Sequence, residues 1–387
     1  MTSSGPGDDR PMRNDPCVPA GAAKGSRSLR NESGGSADGL LLDRYSRQIL
    51  FEPIGKEGQR RLLASRVTLI GCGALGTALA NAMVRAGVGF LRIVDRDYIE
   101  LNNLARQCLF DEQDIAENLP KAEAARRKLA RINSQASIEA VVADANRHTI
   151  ETFAAGADLL LDGTDNFETR FLINDTAVKH GIPWIYGACV AATGLSMPIL
   201  PRITPCLRCV FEQAPPPEMT PTCDTVGVLG PVVTMVASHQ AMEALKILTG
   251  RLDAVNRRLV HFDAWSGRIA QLNMQKAYDD GNCPCCRQGR FDYLDGLLGG
   301  SAVHLCGHDA VQIVPSGGEP GGAAIDFAAL AAKLRPVAAA APVFNAFLLR
   351  VGIDRYQITV FTDGRAIIKG TNKPEEARSI YARYIGA

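Results

Sequence analysis

The sequence contains no hydrophobic run long enough to cross a membrane, and its amino terminus lacks the apolar core of a signal peptide. A spanning helix needs about 18 or more consecutive apolar residues. An excess of charge of one sign is missing too, since 42 Lys and Arg stand against 41 Asp and Glu. No overall charge therefore draws the chain to nucleic acid or to an anionic membrane. We expect a cytoplasmic protein that has neither of them as a partner.

Cysteine is sparse, at 11 in 387 residues, which excludes a disulfide scaffold. In a reducing compartment, clustered thiols are typical of metal sites or catalysts. Hydrophobic residues, in contrast, make up 46% of the chain and can fill the core of one large or two ordinary domains. Residues 1–39 are the exception, because they are rich in Gly, Ser, Asp and Pro and show no hydrophobic period. We expect this amino-terminal arm to be disordered.

Short apolar strands alternate with helical segments from residue 40 onward. The strands are predicted at 67–70, 91–95, 138–143, 159–162 and 184–186. The helices are predicted at 41–63, from Ala74 onward, and at 120–132, 168–180 and 227–249. Two further strands, 259–262 and 269–272, suggest a closing pair. The alternation predicts an α/β fold with a Rossmann-like, doubly wound and mostly parallel sheet.

The last part of the chain is predicted to form a small, separate α/β domain. Helices are expected at 326–334 and 374–384, and a hairpin is expected to turn at Asp363-Gly364. A Gly/Pro-rich stretch at 315–322 interrupts this region. We therefore expect three parts, namely the arm 1–39, a nucleotide-binding domain 40–290 and a C-terminal domain 291–387 of unknown role.

A short tract in the C-terminal part contains His304, Cys306 and His308. If the tract is a strand, the three side chains share one face, which allows a metal or sulfur site. Ordinary surface and packing residues fit the same pattern, and short His/Cys tracts are weak evidence.

A glycine-rich loop, Gly71-Cys-Gly-Ala-Leu-Gly76, follows the first predicted strand. Its glycines let the backbone turn tightly and approach phosphate oxygens, while free amides at the start of the next helix face the negative charge. Asp95 ends the following strand, at the position of a carboxylate that binds ribose hydroxyls. The pattern predicts a nucleotide site that includes Gly71, Gly73, Ala74, Gly76, Asp95 and the nearby Asp97.

Residues beyond this loop favour a triphosphate over a dinucleotide. Arg106 and Lys121 are placed to reach the β- and γ-phosphates, a clamp that hydride transfer does not need. Asp165, beside Asn166, follows the carboxyl end of a buried strand, where open α/β sheets bind ligands. A carboxylate there suits Mg²⁺ in the company of phosphates. We therefore predict ATP and magnesium as ligands.

Two alternatives remain open from the residues alone. The glycine loop and Asp95 would also fit a nicotinamide-dependent oxidoreductase. A nucleotide-binding scaffold that docks partners without turnover is the second alternative, although the set Arg47, Arg106, Lys121 and Asp165 argues against it.

Two Cys-x-x-Cys pairs match four thiolates around a tetrahedral structural zinc. They are Cys206-Leu-Arg-Cys209 and Cys283-Pro-Cys-Cys286. Cys285 is an alternative to Cys286 as the fourth ligand, but the spacing favours Cys283 and Cys286. Reduced core cysteines are the other interpretation of these pairs. Cys72 and Cys189 are expected to be small core residues.

Several motifs taken together resemble the MoeB/ThiF/HesA family of adenylyltransferases, the prokaryotic relatives of ubiquitin-activating enzymes. The motifs are Arg44-Tyr-Ser-Arg-Gln-Ile49, the glycine loop, the run from Asp95 to Gln107, Leu119-Pro-Lys121 and the Asp-Gly-Thr-Asp-Asn run that ends at Asn166. Asn102 departs from the pattern, since the family usually has Ser there; we expect little effect on the chemistry. The region beyond residue 290 is extra to the resemblance.

The resemblance implies that the substrate is a small ubiquitin-like sulfur-carrier protein ending in Gly-Gly, adenylylated at its terminal glycine in a molybdopterin, thiamine or related sulfur pathway. It implies a homodimer, a structural zinc and, as a further possible partner, a sulfur donor protein. It assigns Asp95 to the ribose, Asp165 to magnesium and Arg47 to the site of the partner subunit. It assigns the phosphates to Asn103, Arg106, Gln107 and Lys121.

Cys223, which follows a Pro-rich stretch and precedes the long predicted helix, resembles a family cysteine that in some members forms an acyl disulfide or thioester with the carrier. An amide-rich helix start beside it would activate the thiol. The other interpretation is that Cys223 has no role in turnover, because adenylation itself needs no thiol.

Overall fold

The computed structural model describes residues 43–214, 223–298, 310–313 and 325–385, with the backbone alone for 223 and 224. The arm 1–39, the Gly/Pro-rich stretch and the tract of His304, Cys306 and His308 lie outside the described residues. The expectations for them stay predictions.

Eight strands form the larger sheet, and their bounds follow the apolar runs of the sequence. They are β1 Arg66–Ile70, β2 Phe90–Val94, β3 Ser137–Val141, β4 Leu159–Asp162, β5 Trp184–Val190, β6 Thr193–Ile199, β7 Leu259–Asp263 and β8 Arg268–Leu272. Their order is β3-β2-β1-β4-β5-β6-β7-β8. The first five are parallel and the last three are antiparallel. The predicted doubly wound, mostly parallel sheet and its closing strand pair are confirmed.

Helices flank this sheet and connect its strands. Those described up to residue 298 are α1 Ser46–Ile49, α2 Gly55–Ala64, α3 Ala74–Ala86, α4 Glu112–Ala116, α5 Lys121–Ile132, α6 Ile150–Ala154, α7 Phe167–His180, α8 Leu207–Val210, α9 Cys223–Val226, α10 Gly230–Leu248 and α11 Gln275–Asp279. A 3₁₀ turn, Leu101–Asn103, lies between β2 and α4.

Both faces of the sheet are covered, because successive strand residues belong to different apolar clusters. Leu69 and Leu161 pack with α3 and α10 on one face. Ile70 and Leu160 pack with α7 on the other. This strand alternation explains why the parallel strands are hydrophobic throughout rather than every second residue.

Two predictions for the larger sheet and its helices are wrong. The single helix expected at 41–63 is interrupted between α1 and α2, where Pro53 lies, and α2 begins at Gly55, which takes a left-handed φ of 56°. Proline cannot continue a helix, and the left-handed region favours glycine. Strand β5 also runs four residues beyond its predicted end at Tyr186, and β6 was not predicted.

A second, five-stranded antiparallel sheet follows. Its strands are β9 Ala310–Ile313, β10 Val343–Phe344, β11 Leu348–Ile353, β12 Tyr356–Phe361 and β13 Ala366–Lys369, in the order β10-β11-β12-β13-β9. The helices α12 Phe327–Leu334 and α13 Pro374–Tyr384 pack on it in a separate apolar cluster. The hairpin turn predicted at Asp363-Gly364 joins β12 to β13, with Gly364 at a φ of 85°. Among the described residues, no helix is long and apolar enough to cross a membrane.

Candidate nucleotide site and cysteine cluster

The glycine loop lies where the strand order reverses, between the neighbouring parallel strands β1 and β4. A Cβ on Gly76 would come within 2.1 Å of the carbonyl oxygen of Gly71, and a Cβ on Gly71 within 2.6 Å of that of Gly163. No side chain fits either position. A Cβ on Gly73 would meet nothing nearer than the side-chain nitrogen of Gln107, at 3.9 Å. The loop therefore leaves open space at Gly73, beside the start of α3 at Ala74.

Asp95 follows β2 and is turned back onto this loop. Its carboxylate accepts the backbone N–H groups of Cys72, at 2.6 Å, and Asp97, at 2.7 Å. Burial raises the pKa of Asp95, against the opposing effect of the charge of Lys121. Sequence reasoning placed a carboxylate at this point, and the structure shows how the main chain orients it.

Lys121, the first residue of α5, is buried and pairs with Asp97. Its Nζ lies 3.1 Å from Asp97 Oδ2, and its backbone N–H donates to the Asp97 carbonyl at 2.9 Å. Burial alone would lower the pKa of Lys121, but the charges of Asp97 and Asp95 outweigh it and raise the pKa. Burial likewise opposes the shift at Asp97, whose pKa is lowered to about 2 by Lys121 and Arg96. A charged ammonium group is thus held beside Asp95.

The segment from Asp95 to Lys121 also carries the other predicted phosphate ligands. Asn103 and Gln107 are buried, and Arg106 Nη1 donates to the carbonyl of Asn102 at 2.7 Å. Gln107 Oε1 is buried and has no hydrogen-bond partner among the described residues. An unsatisfied buried amide next to the open space at Gly73 fits a site that is completed by a polar ligand.

Asp165 and Asn166 lie just beyond the carboxyl end of β4. Asn166 caps α7 by accepting the N–H of Thr169 at 2.9 Å. The Asp165 side chain is exposed and accepts from Asn166 Nδ2 at 3.3 Å. It lies close enough to Lys121 to contribute to that residue's raised pKa. An accessible carboxylate near the glycine loop has the oxygen donors that Mg²⁺ prefers.

Arg47 is not brought to this site within the chain. It lies exposed on α1, and the neighbouring Gln48 donates to the carbonyl of Ala86 at 3.0 Å. Ala86 ends α3, the helix that begins in the glycine loop. Thirteen helical residues span about 20 Å, so Arg47 lies near the far end of α3 from the loop.

Four cysteine sulfurs converge near α8. The Sγ atoms of Cys206, Cys209, Cys283 and Cys286 all lie within 4.8 Å of one another. The distances are 3.6 Å between Cys206 and Cys283 and 3.4 Å between Cys209 and Cys286. Four thiolates at 2.3 Å from a tetrahedral zinc are separated by about 3.8 Å. The cluster could therefore hold a zinc ion.

Cys285 takes a different position from the cluster. It is buried, and its Sγ accepts from Asn174 Nδ2 at 3.3 Å. The structure thus places Cys286 rather than Cys285 with the other three thiols. The expectation of core packing fits Cys72, which is fully buried, and Cys189, which packs partly buried against the same core.

Residues 45–285 match the ThiF family. The chain is 42% identical to the sulfur carrier protein ThiS adenylyltransferase of Bacillus subtilis over 346 residues, which covers 89% of this chain and all of that protein. The chain belongs to the ThiF family. At this identity over most of its length it is a nucleotidyltransferase, which decides against the oxidoreductase and the scaffold without turnover.

Two further similar proteins are consistent with the assignment of this chain to the ThiF family. The ThiS adenylyltransferase of Escherichia coli is 37% identical over 63% of this chain and 94% of its own length. The crystal structure of E. coli MccB matches with a TM-score of 0.56 at 23% identity, over 65% of this chain and 73% of that one. The MccB match supports the fold alone.

The ThiF-family site contains a buried ion pair that sequence reasoning missed. Arg170 on α7 donates to Asp162 Oδ2 at 3.2 Å, and the same oxygen accepts the N–H of Gly187 at 3.2 Å. The hydroxyl of Thr164 donates to the other oxygen at 2.7 Å. Burial raises the pKa of Asp162, and the charge of Arg170 opposes the shift. A carboxylate ending the apolar run of β4 was the available signal in the sequence.

Cys223 is the first residue of the short helix α9, which precedes the long helix α10. The long helix, expected from Gly227, begins at Gly230, and Gly227 between the two helices has a φ of 77°. The expected order along the chain is therefore observed, and the activation of the Cys223 thiol by a helix start stays a prediction.

Proposed function

We propose that the chain uses ATP and Mg²⁺ to adenylylate the terminal glycine of a small ubiquitin-like sulfur-carrier protein that ends in Gly-Gly. The observation that carries the proposal is the buried pair of Lys121 and Asp97 beside the glycine loop and Asp95. A cation fixed there suits a triphosphate. Two similar proteins are named as adenylyltransferases of the carrier ThiS, which supports this class of acceptor.

The acceptor needs no general base. A terminal carboxyl group with a pKa near 3.5 is already ionised at pH 7. One carboxylate oxygen bonds to the α-phosphorus of ATP as the bond from that phosphorus to the bridging oxygen breaks. Pyrophosphate takes the electron pair, and an acyl adenylate remains. The task of the protein is alignment and charge neutralisation, for which Lys121 and Arg106 face the phosphates and Asp95 the ribose.

Asn103 and Gln107 complete the phosphate contacts in this proposal, and Asp165 holds the magnesium ion. The metal, when bound, neutralises phosphate charge and orients the leaving group. The exposed position of Asp165 leaves its oxygens accessible for that role.

A homodimer would supply the remaining cation. Arg47 lies near the far end of α3 from its own glycine loop, so we propose that it completes the site of the partner subunit. The four-cysteine cluster would hold a structural zinc, because all four coordination positions are filled by protein thiols.

We further propose that the chain divides into an arm 1–39, a nucleotide-binding domain 40–290 and a C-terminal domain 291–387. A sulfur donor protein would act after adenylylation. The proposal is compatible with both roles considered for Cys223, a covalent intermediate with the carrier or no part in turnover.

Exchange of labelled pyrophosphate into ATP tests the reaction. We expect exchange that requires both Mg²⁺ and a carrier, with AMP released once the acyl adenylate is consumed. The matched control is the same carrier shortened by its terminal Gly-Gly, which should support no exchange. Equal exchange with the shortened carrier, or exchange without any carrier, would contradict the proposed substrate.

A further inference from the structure

We propose that the five-stranded C-terminal sheet is a working part of the nucleotide site, in which Arg350 and Arg365 act as positioning residues for the segment from Asp97 to Lys121. This inference rests on the proposed function, since it concerns how the same site binds ATP. It assigns a role to the region beyond residue 290.

The sheet contacts the segment near its beginning through Tyr98 and Glu100. Tyr98 is buried in an apolar cluster with Leu348, Phe361 and Ile367 of the sheet. The guanidinium carbon of Arg350 lies 4.3 Å from the centre of the Tyr98 ring, and Lys369 forms an ion pair with Glu100. The cation–π contact of Arg350 and the ion pair of Lys369 together hold the chain just after Asp97.

The sheet also contacts the segment near its end. Arg350 Nη1 donates to Asn118 Oδ1 at 2.8 Å, and Asn345 Nδ2 donates to the Asn118 carbonyl at 2.9 Å. Asn118 has a φ of 51°, in the left-handed region that non-glycine residues rarely adopt. This turn sets the direction in which the chain enters Lys121. A left-handed asparagine held by Arg350 of β11 and by Asn345 in the β10–β11 turn is a constraint on the position of that lysine.

Arg350 therefore joins both ends of the segment, because one guanidinium contacts Tyr98 and Asn118 together. The segment is also closed by its own backbone, since Tyr98 pairs with Pro120 in an isolated bridge. The C-terminal sheet adds a packed structure against which both ends of this segment are held. The phosphate ligands Asn103, Arg106 and Gln107 are carried between the two anchored points.

Arg365 lies against the apolar cluster that contains Tyr98, because its guanidinium carbon is 4.5 Å from the centre of the Phe361 ring of that cluster. Its side chain is 4% exposed, and its Nε donates to Asp363 Oδ2 at 2.7 Å. Its Nη2 reaches the carbonyl of Val142, just after β3, at 3.5 Å. Its Nη1 is buried without a hydrogen-bond partner among the described residues. The positive charge helps to keep the pKa of Asp97 low, so it acts on the carboxylate that holds Lys121.

The similar proteins differ in whether their similarity must include the C-terminal region of this chain. The similarity to the B. subtilis protein covers 89% of this chain, which requires that it extend into the C-terminal region. The similarity to the E. coli protein covers 63%. The two relatives therefore differ in how much of this chain they match.

Steady-state exchange kinetics of four variants test the proposal: Arg365→Gln, Arg365→Lys, Arg350→Gln and Arg355→Gln. Loosening the segment leaves only a fraction of the molecules competent to bind ATP, and the apparent Kd rises by the inverse of that fraction while saturated turnover persists. We expect Arg365→Gln and Arg350→Gln to raise the KM for ATP about tenfold and to keep kcat within about twofold. Arg365→Lys, which keeps the charge, should recover most of the affinity.

Arg355→Gln is the matched control. Arg355 lies in the same sheet at the β11–β12 turn, is 67% exposed and pairs with Glu376, away from the segment. Its variant should match the wild type. A variant that merely unfolds in part loses kcat per chain at unchanged KM, so this result for Arg365→Gln and Arg350→Gln overturns the proposal. An unchanged KM with full kcat overturns it as well.

ATP binding measured by calorimetry, without any carrier, separates this inference from the proposed function. If the wild type binds ATP but shows no carrier-dependent exchange, the proposed substrate is wrong, and the Kd values of the four variants still test the positioning role. If exchange proceeds normally but the Kd values of the variants equal that of the wild type, only the positioning role is wrong.

Discussion

Lys121 Nζ lies 3.1 Å from Asp97 Oδ2, and this pair is held at the start of a helix beside the glycine loop. The lysine is buried, so in the proposed site its charge would act on bound phosphates with little screening by water.

Replacing this lysine should remove catalysis. We expect Lys121→Met to lower the rate of pyrophosphate exchange by about 10²- to 10³-fold, the usual loss when one fixed transition-state donor is removed. Lys128→Met is the matched control, because Lys128 lies on the same helix but pairs with Asp111 and Asp114. A similar loss in both variants would show that damage to α5, rather than a missing charge, is responsible.

The same pair predicts a dependence of stability on pH. The pKa of Asp97 is about 2 in the folded chain, below an ordinary value of about 3.9. The ionised carboxylate therefore contributes stability in full above about pH 4, and this contribution is lost as the pH falls towards 2. Urea unfolding of the wild type and Asp97→Asn should show a gap in the free energy of unfolding that narrows from pH 5 to pH 2.5. A constant gap would contradict the lowered pKa.

Two glycines of the loop should respond differently to alanine. Gly76→Ala places a Cβ 2.1 Å from a backbone oxygen, so we expect a loss of at least about 3 kcal/mol in the free energy of unfolding. Gly73→Ala meets no atom closer than 3.9 Å and should keep the stability of the free protein. Its methyl group would occupy the space that we propose for phosphate, so ATP affinity should fall. Thermal unfolding and calorimetry measure the two effects; normal ATP binding by Gly73→Ala would place the phosphates elsewhere.

Asp165 and Cys223 should separate magnesium-dependent adenylylation from later thiol chemistry. Asp165→Ala should abolish exchange with the fold retained, whereas Cys223→Ala should keep exchange within about twofold even if sulfur delivery fails. Asp253→Ala, which removes an exposed carboxylate near the end of α10, is the control for a surface charge. Loss of exchange in Cys223→Ala with a normal circular dichroism spectrum would show that the thiol is needed earlier.

The arrangement of the clustered cysteines predicts which cysteine substitutions remove bound zinc. Cys286→Ser should lose bound zinc, and Cys285→Ser should retain one ion per chain, as measured by plasma mass spectrometry. Removing zinc with a chelator should lower the melting temperature before it affects exchange in the remaining folded protein, because metal binding is coupled to folding. Zinc retained in Cys286→Ser but lost in Cys285→Ser would reverse the ligand assignment.

The sequence was most informative where structure is decided locally. Strand β1, the glycine loop and helix α3 follow one another in a pattern that each residue supports, and α3 begins at the predicted Ala74. The last helix was equally clear, since proline at its first position suits a helix start. Asp95, Lys121 and Asp165 could be assigned to one site because parallel strands end at the same edge of the sheet.

Features that depend on distant partners could not be predicted. Strand β6 contains Gly194 and Pro198 and is held by pairing with β5 and β7. Residues of this kind argue against a strand when the neighbours are unknown. The hydrogen bond from Arg350 to Asn118 likewise joins residues that are far apart in the chain, and nothing in either local pattern indicates it.

The buried network around Asp162 joins a helix to the sheet. Its carboxylate ties Arg170 of α7 to the backbone of Gly187 in β5, so one side chain couples the two elements. Loss of this carboxylate would leave the guanidinium of Arg170 buried without its counter-ion, and helix and strand would loosen together.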